Sequence, residues 1–180
     1  MASTEQQSVE SIEEKLDNSK ISEEENLEQY LTFLMAEEEY GVDILSVQEI
    51  RGWESVTPVP NSPKHVKGVI NLRGTIVPII DLRAKFNLDA IDYGPLTVVI
   101  VLKVALGTVE RVMGIVVDAV SDVYGLSLED MQTAPDLGDH INTNYIQGLA
   151  GVDEKMIVVL DIDALLANDM RSQAANVSVH

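Results

Sequence analysis

The chain contains no cysteine. A disulfide scaffold, a thiolate metal site and a cysteine nucleophile are excluded together. Aromatic residues fill only 4% of its 180 positions, with a single tryptophan. That leaves little for stacking on nucleic-acid bases. Basic residues are scarce: 12 Lys and Arg stand against 30 Asp and Glu, for a net charge of −18. Such a chain is a poor non-specific ligand for nucleic acid or an anionic membrane. Apolar runs are short; residues 97–102 stop at Lys103, far below the length of a bilayer span. The N-terminus lacks a basic region followed by an apolar stretch, so no secretory signal is visible. These absences predict a soluble, cytoplasmic protein with no direct membrane insertion.

Chemistry-bearing residues are equally thin on the ground. His65, His140 and His180 are scattered and share no metal-ligand spacing. No glycine-rich phosphate loop is present. Asp161 and Asp163 form a DxD, but Asp161 follows a strand pattern and precedes a helix pattern, which reads as a cap. Asp118 and Asp122 lie on a strand pattern with no partner base in view. The sequence therefore predicts no catalytic residue, no metal and no cofactor.

What is abundant is aliphatic. The chain is 46% hydrophobic, and Val and Ile dominate the periodic segments, which favours strands. The segment from Gly68 to Phe86 recurs, eighty positions on, from Gly148 to Leu166. Gly68 matches Gly148, Ile79 and Ile80 match Val159 and Leu160, and Asp81 matches Asp161. Upstream, Gly41 to Ile50 aligns with Gly114 to Val123. Self-similarity in two ordered blocks predicts two similar small modules packed together. Each half reads as five short strands without a long helix between them. That pattern implies antiparallel pairing and closure into barrels that hide their edges. A turn at Asp92–Pro95 marks the boundary.

These signals predict a mostly β fold of two packed five-stranded barrels with short helices. Barrel 1 is expected at about 28–93, barrel 2 at about 94–160, and a closing helix at about 161–168. Residues 1–27 are polar and acidic. Val9, Ile12 and Leu16 have helical spacing but are too few to order the segment, so a disordered tail is expected. Residues 169–180 are expected to be a flexible tail. Charge is unevenly spread. Residues 51–85 carry Arg51, Lys64, Lys67, Arg73, Arg83 and Lys85 against only Glu54 and Asp81. This is either scattered solubilising charge or a basic surface that steers an acidic partner.

The runs EYGVDILSVQEIRG, VKGVINLRGTIVPIIDLRAKF, RVMGIVVDAVSDV and YIQGLAGVDEKMIVVLDIDALL resemble, in order and spacing, the CheW family. The resemblance covers residues 28–168, and NLRG followed by VPIIDLR is a specific signature. It implies a non-catalytic chemotaxis coupling protein built as two five-stranded SH3-like barrels sharing a core. The implied partners are the C-terminal regulatory domain of the histidine kinase CheA and the cytoplasmic tip of chemoreceptors, with recruitment to membrane receptor arrays. By this resemblance Glu49 and Arg73 are expected to contact the receptor, supported by Val47, Ile50 and Gly68. Tyr40, Gly41, Val42, Asp43 and Ile44 are expected at the kinase contact. The residues alone leave an alternative open: an SH3-like module that binds peptide or nucleic acid through the basic stretch.

Overall fold

A computed structural model describes residues 9–16, 27–134 and 143–178, with side chains through residue 170. His140, His180 and the greater part of the expected N-terminal tail lie outside the described residues. Ten strands form: β1 (Glu28–Met35), β2 (Glu38–Asp43), β3 (Val47–Gly52), β4 (Val66–Leu72), β5 (Thr75–Asp81), β6 (Val98–Leu106), β7 (Val109–Val117), β8 (Ala119–Leu126), β9 (Ile146–Val152) and β10 (Lys155–Leu160). Residues 9–16 form helix α1. Short helix α2 (Leu82–Lys85) follows β5, and α3 (Ile162–Ser178) follows β10. The Asp81 and Asp161 carboxylates accept the Ala84 and Ala164 amide hydrogens, as the cap reading expected.

The strands make two five-stranded sheets, ordered β8-β1-β2-β10-β9 and β3-β6-β7-β5-β4. They are called barrels A and B below. The division at residue 93 is therefore corrected. Each barrel takes the first two strands of one repeat and the last three of the other. Replacing β3 by β8, and each other strand by its repeat partner, turns one order into the other. The swap occurs where short links carry the chain across: residues 44–46 after β2, and Asp118 after β7. Hydrophobic periodicity identifies strands but does not say which strand a given edge will meet. Pairing is mostly antiparallel, but β2 lies parallel to β10 and β5 parallel to β7, against the all-antiparallel expectation.

The two-faced strands explain the layering. One face of β1, β2, β3, β6 and β7 points to a central cluster that includes Leu31, Phe33, Val42, Val47, Ile100 and Ile115. The opposite faces fill the barrels, with Val77, Ile79 and Val101 in B and Tyr30, Ile157 and Val159 in A. The shared core is thus the seam between the barrels.

Both tail expectations need correction in part. Ile12 and Leu16 of α1 are buried and belong to the central cluster. Two aliphatic side chains suffice because they extend an existing core, with burial worth roughly 1.5–3 kcal/mol each at the upper bound. At the other end α3 runs to Ser178, and Asp169 and Met170 are buried. Asp169 is gripped by His65 Nε2 at 2.6 Å and Lys85 Nζ at 2.7 Å. His65 is therefore a packed strut for α3, not a free loop residue.

Candidate partner-binding surface

The repeat places two equivalent hairpins, β4–β5 and β9–β10, at opposite barrels. Both tips use left-handed backbone, with φ of 49° and 89° at Arg73 and Gly74 and 50° and 64° at Asp153 and Glu154. That is the twist-matched two-residue turn of a tight hairpin. In the first, the Gly74 amide donates to Asn71 Oδ1 at 2.8 Å. The Arg73 side chain is left 75% exposed. Ile76, next to the tip, is 61% exposed, and its counterpart Met156 is 56% exposed. The scaffold is shared and the charge at the tip reverses.

Glu49 stands on β3 near Arg73, and the structure does bring these two together. Arg73 Nη1 lies 3.6 Å from Glu49 Oε2, an ion pair too long for a hydrogen bond. Glu49 Oε1 is buried and has no hydrogen-bond partner. A carboxylate with one idle oxygen, beside an exposed guanidinium, is a site that is only half satisfied internally.

The other expected receptor contacts are placed differently. Val47 and Ile50 are buried in the central cluster; they are three apart, and the bulge between Val47 and Glu49 brings both to the inward face. Gly68 is a backbone requirement. Its φ is 151°, and a Cβ there would lie 2.2 Å from the Thr57 carbonyl oxygen. Thr57 and Val69 exchange two backbone hydrogen bonds at that point.

The expected kinase segment is also largely internal. Val42 is 0% exposed and Ile44 is in the core. Gly41 is buried, and a Cβ on it would meet Ile157 at 3.2 Å. Tyr40 is half-buried between the rings of Phe33 and Phe86, and burial pushes its hydroxyl pKa up. Asp43 caps the following turn by accepting the Leu45 amide hydrogen. β2 is a central strand, flanked by β1 and β10, so little of it can reach a partner. The exposed apolar side chain lies just after this segment, at a residue the sequence reading did not name: Leu45, 76% exposed. A Leu that breaks the strand pattern just after an acidic cap was the available signal.

The basic stretch is divided as well. Arg83 is not surface charge: its Nε and Nη2 each lie 2.7 Å from the two oxygens of Asp118, and Nη1 donates to the Asp89 carbonyl. That hydrogen-bonded pairing holds its guanidinium pKa above the ordinary value, against burial. Burial acts to raise the Asp118 pKa. The Arg83 hydrogen bonds, the Ala36 amide and the Arg83 charge outweigh it and hold the carboxyl below its usual value. Lys85 is buried against Asp169. Arg51, Lys64, Lys67 and Arg73 remain toward solvent. Asp118 and Asp122, read as lacking a base, in fact meet Arg83 and Lys15. Asp163 accepts the Ala105 amide hydrogen and so is engaged in the fold. Among the described residues no group of three His, Cys, Asp or Glu could hold a metal. No described helix is long and apolar enough to cross a membrane.

Twin β barrels braced by struts such as Arg83–Asp118 and Lys85–Asp169, with a half-satisfied charged pair at an exposed hairpin tip, define a protein-binding scaffold. The family profile described as the CheW-like domain matches residues 29–170. A chemotaxis protein CheW from Klebsiella aerogenes is 46% identical over 160 residues, covering 89% of this chain and 94% of its own. Another from Rhizobium meliloti is 35% identical over 144 residues, covering 80% and 90%. The crystal structure of the scaffolding protein TtCheW from Thermoanaerobacter tengcongensis superposes with a TM-score of 0.71 at 31% identity, covering 80% of this chain and 90% of that one. This chain belongs to the CheW-like family of chemotaxis coupling and scaffold proteins.

Proposed function

We propose that this protein acts without catalysis, holding chemoreceptor cytoplasmic tips to the histidine kinase CheA in membrane-associated arrays. The carrying observation is the Glu49–Arg73 pair. Glu49 keeps an oxygen without a hydrogen bond, and Arg73 is exposed beside it. A receptor tip that brings a cation to Glu49 and a carboxylate to Arg73 satisfies both, with Ile76 as an apolar neighbour. Next to the 40–44 segment expected at the kinase, Leu45 offers the exposed apolar side chain for that contact, since Val42 and Ile44 have no surface to give.

The test is Arg73→Ala and Arg73→Lys, read by melting temperature, CheA binding and receptor-dependent kinase activation. The expected result is an unchanged fold, intact kinase binding and lost receptor coupling. Lys restores little, because a point charge cannot make the guanidinium's paired hydrogen bonds. Full coupling in Arg73→Ala refutes the receptor role.

A further inference from the structure

Helix α1 lies outside the family region, which begins at residue 29. An isolated helix of eight residues is not stable in water, so the face it packs on must supply its order. Ile12 and Leu16, four apart, enter the central cluster, and Val9 packs at its edge. Lys15 Nζ sits 2.7 Å from Asp122 Oδ1 on β8. Glu10, Ser11 and Glu14 face water.

The position of Asp122 is informative. On β1 and β8, Phe33 opposes Val120 and Leu31 opposes Val123, with a bulge between. On β6 and β3, Leu102 opposes Val47 and Ile100 opposes Ile50, again with a bulge. Asp122 therefore holds in barrel A the place that Glu49 holds in barrel B. The two acids differ in their partners. Glu49 has an oxygen with no hydrogen bond, whereas Asp122 is met by Lys15 and the Val123 amide. Burial acts to raise the Asp122 pKa, and the Lys15 hydrogen bond, the Val123 amide and the Lys15 and Lys155 charges together hold it low. The apolar residues differ too. Val47 and Ile50 are buried, but Val120 and Val123 are only half-buried even with α1 present.

We propose that the β8 face of barrel A is a helix-docking surface, closed in cis by α1. Its ligand in trans is a short amphipathic helix of α1's own chemistry: two apolar side chains four apart, and a cation one residue before the second that meets Asp122. The hold in cis is limited to one eight-residue helix, with Ile12 and Leu16 buried, Val9 at the edge and a solvent-exposed Lys15–Asp122 pair among its contacts, which puts opening of α1 below global unfolding. The ten residues between α1 and Leu27 keep it at high effective concentration, so it excludes weak competitors and yields to better ones. The proposal does not depend on what Glu49 binds.

The test uses the full chain with Ile12→Asp and Leu16→Asp, which releases α1, and a fluorescent peptide of residues 1–20 followed by anisotropy. The peptide is expected to bind the released variant and to bind the parent at least tenfold more weakly. A Lys15→Glu peptide is expected to lose binding and to regain it when the chain also carries Asp122→Lys. Equal binding to parent and variant, no binding to either, or indifference to Lys15→Glu overturns the proposal. If near-UV circular dichroism shows the double variant unfolded, hydrogen exchange decides. Lys15→Glu and Asp122→Lys should each lower protection of β8 amides and together restore it. Unchanged protection in both single variants overturns the proposal.

Discussion

Arg83 and Arg73 come from the same basic stretch, and the structure gives them opposite consequences for stability. Arg83→Ala removes two 2.7 Å charge-assisted hydrogen bonds to Asp118 and one to the Asp89 carbonyl. Asp118 keeps only the Ala36 amide. Breaking a buried ion pair by removing one partner costs about 3–5 kcal/mol. The Arg83 and Asp118 side chains are 14% and 21% exposed, so some water relieves the stranded carboxylate. The low end, about 3 kcal/mol, is expected. For a chain of this length that lowers the melting temperature by about 6–12 °C. The Arg73→Ala control loses only a 3.6 Å contact from a side chain already in water, and its melting temperature stays within about 3 °C. Thermal unfolding by circular dichroism of both variants decides. An unchanged melting temperature in Arg83→Ala, or equal losses in the two, refutes the division of the basic stretch into strut and surface.

Acid unfolding should report the same strut. Asp118 titrates below its ordinary value in the folded state, so its stabilising contribution is full above about pH 4, the unfolded carboxyl pKa, and is lost as pH falls further. The stability gap between parent and Arg83→Ala in urea titrations should therefore narrow from pH 5 to pH 2.5; a gap that widens contradicts this. Gly68→Ala should destabilise by about 2–3 kcal/mol, because its Cβ meets the Thr57 backbone. Gly148→Ala should cost less, since its closest neighbour is the flexible Met131 side chain; the reverse order in chemical denaturation counts against the backbone argument. Glu154→Gly should raise stability by about 0.5–1 kcal/mol, since glycine carries no penalty at a φ of 64°. A lower melting temperature would show that the Glu154 side chain makes a compensating contact.

The strands were readable because alternation and β-branched runs are local properties. The β4–β5 and β9–β10 hairpins follow directly from Leu72-Arg73-Gly74-Thr75 and its copy eighty residues on. The caps at Asp81 and Asp161 are equally local. Glu49 and Arg73 were named by resemblance, and their proximity follows from β3 and the β4–β5 hairpin sharing barrel B. Val42, Ile44, Val47 and Ile50 are buried, which the sequence did not reveal because an apolar residue on a strand reads the same whether its face meets a partner or a neighbouring barrel.

The sequence by itself determined the ten strands, the two-fold repeat, the tight tips and the reversal of charge between them, since each depends on residues close in the chain. Tertiary structure decided which strands share a barrel, because a strand edge accepts any compatible edge and chain connectivity chooses among them. It also decided which charges are free. Arg83 finds Asp118 35 positions away, Lys85 finds Asp169 84 positions away, and Lys15 finds Asp122 107 positions away. No local pattern announces such a meeting, because each pair is brought within hydrogen-bond reach only when the two barrels close on their common core.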